Sequence, residues 1–256
     1  MAEVELDRLG STAVIRLNRP ERRNATTTEL WNWFERRIDE IDADSSIRAV
    51  ILTGSGEAFC AGADTGASFP KNTAEGLARV SRVHRIIPRL YNLNKPVIAA
   101  VRGAAVGSGF AMALAADFIL VSETVRFSYA FTRLGLVADA GALFFLQQRL
   151  GVQRAKELAY TGRFINADEA LSLGIAYRKL ADAQLMPEAE AFAAELAKGP
   201  TFAIGITKRL LQKNWTSLED FLPQELLTVP LMSTTQDAAE GIAAIREKRP
   251  PQFKGC

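Results

Sequence analysis

The sequence has few of the residues that most often bind metals or form disulfides. Its 256 residues include one histidine and two cysteines, Cys60 and Cys256. Two cysteines are too few for a disulfide framework, which points to a reducing compartment. Together with a single histidine they also argue against a His/Cys metal site, so we expect no metal centre.

A charge imbalance and a long apolar run are also missing. The 31 basic and 29 acidic residues leave a net charge of 31 − 29 = +2, too small to drive binding to nucleic acid or to a membrane surface. The longest charge-free apolar stretch, residues 103–116, is shorter than a membrane span, and the acidic N-terminus lacks the apolar segment of a secretory signal. At 48% apolar residues the composition is globular, and we expect a cytoplasmic protein without membrane or nucleic-acid partners.

The order of patterns along the chain predicts an α/β core followed by a helical tail. Short runs of β-branched and other apolar residues predict strands, and apolar residues that recur every three or four positions predict helices. Thr28 is the predicted N-cap of the first helix. The predicted strands are 12–17, 49–53, 97–101 and 118–121. The first predicted helix has Leu30, Trp33, Phe34, Ile38 and Ile41 on one face, and the later ones are 74–93, 108–116, 141–150, 182–198, 201–213, 217–229 and 237–247. Alternating strands and helices in the first half indicate a largely parallel sheet, and Pro223 and Pro230 predict a kink and a stop in the tail.

Two glycine-bearing turns follow predicted strands, CAGAD at 60–64 and GAAVGSG at 103–109. Glycine lets the backbone approach a ligand, and a helix N-terminus offers unpaired N–H groups. If the turns face each other, they would aim two N–H donors at one oxygen, as in an oxyanion hole. Tight strand–helix packing is the alternative, and from the residues alone it is favoured. The second turn has neither dinucleotide-binding spacing nor the ending of a phosphate-binding loop.

At these turns the sequence resembles the crotonase, or enoyl-CoA hydratase/isomerase, superfamily. The matching segments are NRPERRNA at 18–25, VILTGSGEAFCAGAD at 50–64, KPVIAAVRGAAVGSGFAMALAAD at 95–117, LGLVADAG at 134–141 and EKRPPQF at 247–253. The resemblance implies an α/β fold, a crotonase-like spiral of ββα turns with a C-terminal helical trimerisation region. We divide it into a core, 1–198, and an oligomerisation region, 199–256. It also implies an acyl-CoA substrate that carries the coenzyme A, with no separate cofactor, and assembly as a trimer or hexamer.

The resemblance also assigns roles to residues. The oxyanion donors fall on the backbone N–H groups of Ala63 and Ser108. The residues implied to contact the substrate or its coenzyme A are Arg22, Arg23, Ala61, Asp64, Gly107, Gly109, Phe131 and Lys248. Lys248 would reach the coenzyme A of a neighbouring subunit. For the three basic residues a solvated surface charge is an equal alternative, and Asp64 would mainly support the oxyanion turn.

Hydratases of this superfamily hold water with two glutamates, and this sequence has neither. Ala111 and Phe131 stand at the two positions, and no Asp or Glu occurs in 101–116 or 125–138. Neither side chain can bind or deprotonate water, which argues against a 2-enoyl-CoA hydratase.

Within the segment LGLVADAG at 134–141 there is one carboxylate, that of Asp139. Its spacing favours an N-cap for a predicted helix over 141–150. The resemblance instead implies the acid/base of an isomerase, closest to the 1,2-epoxyphenylacetyl-CoA isomerase type, kept ionised by the N-terminus of that helix. We therefore predict an isomerase that moves a double bond from the 3 to the 2 position of an acyl-CoA, or isomerises a ring-derived CoA thioester.

Three other functions stay open besides the isomerase. One is the hydratase, in fatty-acid or aromatic-acid degradation. Another uses Asp139 as a nucleophile on an aryl-CoA, but His84 stands about one turn from where that chemistry needs a histidine. The third is a coenzyme A-binding or RNA-binding protein without turnover. Arginines at helical spacing would serve RNA binding, although a solvated helix face explains them better; they are Arg79, Arg82, Arg85 and Arg89.

Overall fold

The computed structural model of the protein describes residues 2–66 and 70–256. Its strands are β1 (Val4–Leu9), β2 (Thr12–Leu17), β3 (Ala49–Gly54), β4 (Val97–Val101), β5 (Ala104–Val106), β6 (Phe118–Ser122), β7 (Arg126–Ser128), β8 (Phe164–Ile165) and β9 (Arg178–Leu180). Its α-helices are α1 (Thr28–Ala43), α2 (Thr73–Tyr91), α3 (Ser108–Leu114), α4 (Ala142–Thr161), α5 (Ala167–Ser172), α6 (Leu185–Lys198), α7 (Thr201–Gln212), α8 (Leu218–Ser233) and α9 (Gln236–Glu247). Short 3-10 turns lie at Pro20–Arg22, Phe131–Leu134 and Asp182–Gln184.

The main sheet has the strand order β1-β2-β3-β4-β6-β9. β1 and β2 form an antiparallel hairpin, and each later neighbour pairs in parallel. All residues of β3 and β4 are buried, because helices cover both faces of the sheet, as parallel strands require.

Each face of the sheet carries its own hydrophobic cluster. On one face, side chains of α1, α2 and α3 pack against alternate strand residues such as Leu52 and Ala99. On the other, α6 covers Ile51 and Ile98 with a face that includes Phe192. The alternation of side chains along each strand therefore separates the two clusters, and the α/β fold predicted from the sequence is confirmed.

The predicted strands and helices are found with small shifts, and two details are wrong. Thr27, not Thr28, caps α1, since its hydroxyl accepts a hydrogen bond from the Leu30 N–H. Helix α8 also continues past both Pro223 and Pro230 to Ser233. No residue of α8 is buried, so carbonyl groups that lose a partner to a proline can bond water instead.

The helical tail is bonded directly to the core. Lys208 of α7 forms an ion pair with Asp117, with 2.8 Å between Nζ and Oδ2. Arg48, just before β3, donates to the carbonyl oxygens of Gly199 and Phe253. The division between residues 198 and 199 falls at the break between α6 and α7 and stays a prediction. Over the described ranges, no helix combines the length and the hydropathy needed to cross a bilayer.

Candidate active site

A second, three-stranded sheet brings the two glycine turns together. β7 pairs in parallel with β5 and antiparallel with β8, and Cys60 forms a bridge to Ala105 in β5. Gly62 and Gly107 both have positive φ, 94° and 54°. A Cβ atom on Gly62 would lie 2.9 Å from the Val106 carbonyl oxygen, so the turns touch at a distance that only glycine permits there.

Hydrogen bonds on one side of the first turn fix the direction of the Ala63 N–H. The Gly62 carbonyl oxygen accepts from the Thr26 N–H, and the Asp64 N–H donates to the Thr26 carbonyl oxygen. In a trans peptide the N–H points opposite to the preceding C=O. The Ala63 N–H is therefore directed away from Thr26, and Ala63 itself lines a cavity shared with the second turn.

The Ser108 N–H lies at the start of α3. The Gly107 carbonyl oxygen accepts from the Ala111 N–H within the helix, so the Ser108 N–H points out of its N-terminal end. The buried Ser108 hydroxyl lies 3.2 Å from the Thr26 hydroxyl, so it has a polar partner within the protein. Two backbone amides with these orientations belong to residues that line one cavity, as an oxyanion hole requires.

Gly109 allows α3 to lie directly on Cys60. A Cβ atom on Gly109 would meet the Cys60 carbonyl oxygen at 2.4 Å, and Gly109 does not line the cavity. Burial raises the pKa of the Cys60 thiol to about 12, so Cys60 is a small packing residue and not a nucleophile.

The cavity between the turns has a volume of about 350 Å³ and is mainly apolar. It is lined by residues of both glycine turns, of α2 and of the segment between β7 and α4. These are Ala61, Gly62, Ala63, Thr65, Pro70, Gly76, Arg79, Val80, Val106, Gly107, Ser108, Ala130, Phe131, Leu134, Leu136, Val137 and Asp139. Among these described lining residues Asp139 is the one carboxylate and Arg79 the one cation, so charge is confined to a single pair.

Asp139 is mostly buried at this wall. Its Oδ1 has no hydrogen-bond partner among the described residues, and its Oδ2 lies 3.5 Å from Nη2 of Arg79. Burial raises the pKa of the Asp139 carboxyl above its ordinary value, while Arg79 and then His84 oppose that rise. A carboxyl with a raised pKa in an apolar cavity is well suited to accept and return a proton.

The predicted N-cap role of Asp139 is wrong. Ala140 and Gly141 both have positive φ, 55° and 71°, and this turn separates Asp139 from the first residue of α4, Ala142. Gly141 is the N-cap residue, and no side chain caps the helix. Among the charged side chains that lower the pKa of Asp139, Arg79 contributes most. The support expected from the N-terminus of this helix stays a prediction.

The two positions at which hydratases carry glutamate are apolar in space as well as in sequence. Ala111 is fully buried inside α3. The Phe131 ring lies over the second turn, 3.7 Å from where a Cβ atom on Gly107 would be. It also packs edge-on against Tyr129, so that aromatic side chains occupy this wall.

The other residues assigned to coenzyme A lie outside the cavity lining. Asp64 is bonded to Arg19, and hydrogen bonds from the Gly66 N–H and from Arg19 lower the pKa of its carboxyl. Arg22 and Arg23 are exposed beside the Pro20–Arg22 turn. Lys248 is exposed at the end of α9. The structure thus brings Ala61, Ala63, Gly107, Ser108, Phe131 and Asp139 together and leaves Arg22, Arg23, Asp64, Gly109 and Lys248 outside this group.

Arg79 is a site residue that the sequence does not predict. Its helical spacing with other arginines indicates a solvated face, whereas Arg79 lines the cavity with a side chain only 24% exposed. Arg85 and Arg89 instead pair with Glu35 and Asp39 of α1. The spacing along α2 places Arg79 one helical turn before Arg82. Nothing in the sequence indicates that Asp139, 60 residues later, packs against the turn that carries Arg79.

Comparison with known proteins agrees with this architecture. The enoyl-CoA hydratase/isomerase family model matches residues 7–256. The chain is 35% identical over 244 residues to the 1,2-epoxyphenylacetyl-CoA isomerase of Escherichia coli K12, with 93% of each chain covered. It is 33% identical over 248 residues to the short-chain-enoyl-CoA hydratase of Clostridium acetobutylicum, covering 96% of this chain and 95% of the relative.

A solved structure gives the same result. The crystal structure of an enoyl-CoA hydratase from Bacillus anthracis superposes with a TM-score of 0.94 at 32% identity, covering 99% of this chain and 100% of the other. The relatives include hydratases and isomerases, so their names do not choose between the two reactions. The chain belongs to the enoyl-CoA hydratase/isomerase family and has the crotonase fold.

Proposed function

We propose that this protein is an acyl-CoA isomerase that moves a double bond from the 3 to the 2 position, or isomerises a ring-derived CoA thioester. The observation that carries the proposal is the content of the cavity. Two backbone amides and one carboxylate, Asp139, belong to its described lining, and the positions of the two hydratase glutamates hold Ala111 and Phe131. Isomerisation needs one acid/base group, because the proton removed from one carbon is returned to another.

The reaction on a 3-enoyl-CoA uses these groups in two steps. The thioester oxygen accepts hydrogen bonds from the Ala63 and Ser108 N–H groups. Asp139 removes a proton from C2, and the electron pair of that C–H bond delocalises through C3 and C4 and onto the oxygen as a dienolate. The protonated Asp139 then returns the proton to C4, which leaves the double bond between C2 and C3. Each amide lowers the free energy of the charged intermediate by about 3 kcal/mol.

The apolar walls favour this reaction over addition of water. A hydratase must hold water and move its protons, and neither alanine nor phenylalanine has a group that does so. Phe131 and Tyr129 also fill the wall beside the second turn, which keeps water from a dienolate.

We expect 3-enoyl-CoA to be consumed rapidly and 2-enoyl-CoA to be hydrated very slowly when the two are supplied in parallel. The measurements are the appearance of 2-enoyl-CoA in the first reaction and of 3-hydroxyacyl-CoA in the second. Weak residual hydration agrees with an oxyanion hole acting alone. Hydration at the rate of an efficient hydratase, with the 3-enoyl substrate untouched, would overturn the proposal.

Recognition of coenzyme A is proposed to involve charged residues outside the cavity. Arg23 lines a second surface cavity of about 570 Å³, together with Arg126 and Phe164. Two arginines and an aromatic ring are suited to phosphate groups and a base. Lys248 does not line the cavity of its own chain, so a role in coenzyme A binding requires a neighbouring subunit.

We expect the protein to form a trimer or hexamer through its helical tail. The tail exposes large apolar side chains, among them Leu211 (79%), Leu226 (75%) and Ile245 (80%), and α7, α8 and α9 enclose an apolar groove of about 620 Å³. Exposed apolar area on this scale marks an interaction surface. Light scattering at micromolar protein should give three or six times the mass of the chain, and a stable monomer would contradict both the assembly and the role of Lys248.

A further inference from the structure

Arg79 is the charged group nearest to the proposed acid/base. It projects from α2 into the described lining of the cavity, and its Nη2 lies 3.5 Å from Oδ2 of Asp139. Among the described residues this is the one hydrogen bond that Arg79 makes, and its length is at the outer limit for a hydrogen bond. The guanidinium is therefore close enough to act by its charge without locking the carboxylate in place.

We propose that Arg79 is a positioning residue of the isomerase site, whose guanidinium keeps the Asp139 carboxylate ionised at the cavity wall so that it is ready to accept a proton. This inference rests on the proposed function. It explains why a cation stands in a cavity whose other described lining residues, apart from Asp139, are uncharged.

The physical need for such a group comes from burial. A carboxylate enclosed by apolar side chains tends to remain protonated, and a protonated Asp139 cannot act as a base. Burial is the main cause that raises the pKa of Asp139, and Arg79 is the first of the groups that lower it.

The other groups around Asp139 do not replace this charge. His84 of α2 is exposed and makes the smaller opposing contribution. Tyr129, from the segment after β7, has a buried hydroxyl without a partner among the described residues, and it is neutral. From α4, the Ala142 N–H donates to the main-chain oxygen of Asp139 and not to its carboxylate.

A purely structural tie between α2 and the segment before α4 is the alternative. In that role Arg79 acts by packing its aliphatic stem between the two segments, and a neutral side chain of similar length at position 79 leaves the ionisation of Asp139 unchanged. The pH dependence of the reaction therefore separates the two roles.

The test compares kcat/KM for a 3-enoyl-CoA across the acidic pH range in wild type, Arg79→Met and Arg79→Lys. Loss of the guanidinium should move the acidic limb of the profile to higher pH, because Asp139 then needs a higher pH to ionise. We expect roughly tenfold lower activity than wild type on that limb and a much smaller loss on the alkaline plateau. Lysine keeps a positive charge and should restore most of the limb.

Arg85→Met is the matched control, since Arg85 lies on the same helix and pairs with Glu35 of α1. It should leave the limb where wild type has it. An unshifted limb in Arg79→Met, or an equal shift in Arg85→Met, would overturn the inference. If Arg79→Met does not fold, as judged by its melting curve, Arg79→Gln takes its place under the same criteria.

The Asp139→Asn variant separates this inference from the proposed function. If that variant keeps its activity, the isomerase mechanism fails and the inference fails with it. If it loses activity while Arg79→Met keeps the wild-type limb, only the role of Arg79 is wrong.

Discussion

Asp139→Asn should remove most of the isomerase activity, lowering kcat for a 3-enoyl-CoA by about 10²–10⁴-fold. Asparagine preserves the size of the side chain but cannot accept a proton at neutral pH. The Ala63 and Ser108 amides remain, so binding of the CoA ester should be nearly unchanged. The measurement is kcat at saturating substrate, with Asp168→Asn, which changes an exposed carboxylate of α5, as the control.

The same variant should melt at a higher temperature than wild type at neutral pH. Burial raises the pKa of Asp139, so the folded state binds this proton more tightly than the unfolded state does. Stability therefore falls as pH rises through the interval between the ordinary and the raised pKa, and the full cost is present above that interval. Asparagine has no charge and avoids that cost. The difference in melting temperature between the variant and wild type should disappear at a pH below the ordinary carboxyl range.

For the kinetic prediction, an unchanged kcat in a folded Asp139→Asn protein would contradict the mechanism.

The strands were predictable because their signals are local. Val97–Val101 was predicted with the bounds that the structure has, since Pro96 stands before it and Arg102 and Gly103 follow. An apolar run of five residues has the length of a strand and is too short for a typical helix, and the proline and glycine around it mark its ends. Helix α8 was harder, because Pro223 and Pro230 are local stop signals that matter less in a helix with no buried residue.

The geometry around Asp139 was not predictable from sequence spacing. The spacing of an aspartate before a helix favours a cap, whereas the structure has a carboxylate facing a cavity. The structure differs from the cap because Ala140 adopts a left-handed conformation, which alanine rarely does and which no pattern signals. The resemblance of the surrounding segment to isomerases, and not the spacing, led to the acid/base hypothesis.

Lys208→Met should destabilise the protein strongly without touching the cavity. Nζ of Lys208 donates to Oδ2 of Asp117, and that oxygen also accepts from the Val97 N–H at the start of β4. Burial raises the pKa of Asp117 and lowers that of Lys208. For each group, the free-energy cost of removing its charge from water is larger than the stabilisation by the charge of its partner. Removing the lysine leaves a buried, unpaired carboxylate, at a cost of about 3–5 kcal/mol in the free energy of unfolding and roughly 10 °C in Tm.

The double variant Asp117→Asn/Lys208→Met distinguishes this cost from the loss of packing by the lysine side chain. Asparagine is neutral and still offers an oxygen to the Val97 N–H, so the double variant should recover much of the stability that Lys208→Met loses. Arg209→Met, at the exposed next position of α7, should stay within about 0.5 kcal/mol of wild type. All variants are compared at one protein concentration, because association of the tail adds to Tm. If the double variant is no more stable than Lys208→Met, the unpaired Asp117 is not the cause, and α7 is held to the core by its apolar contacts alone.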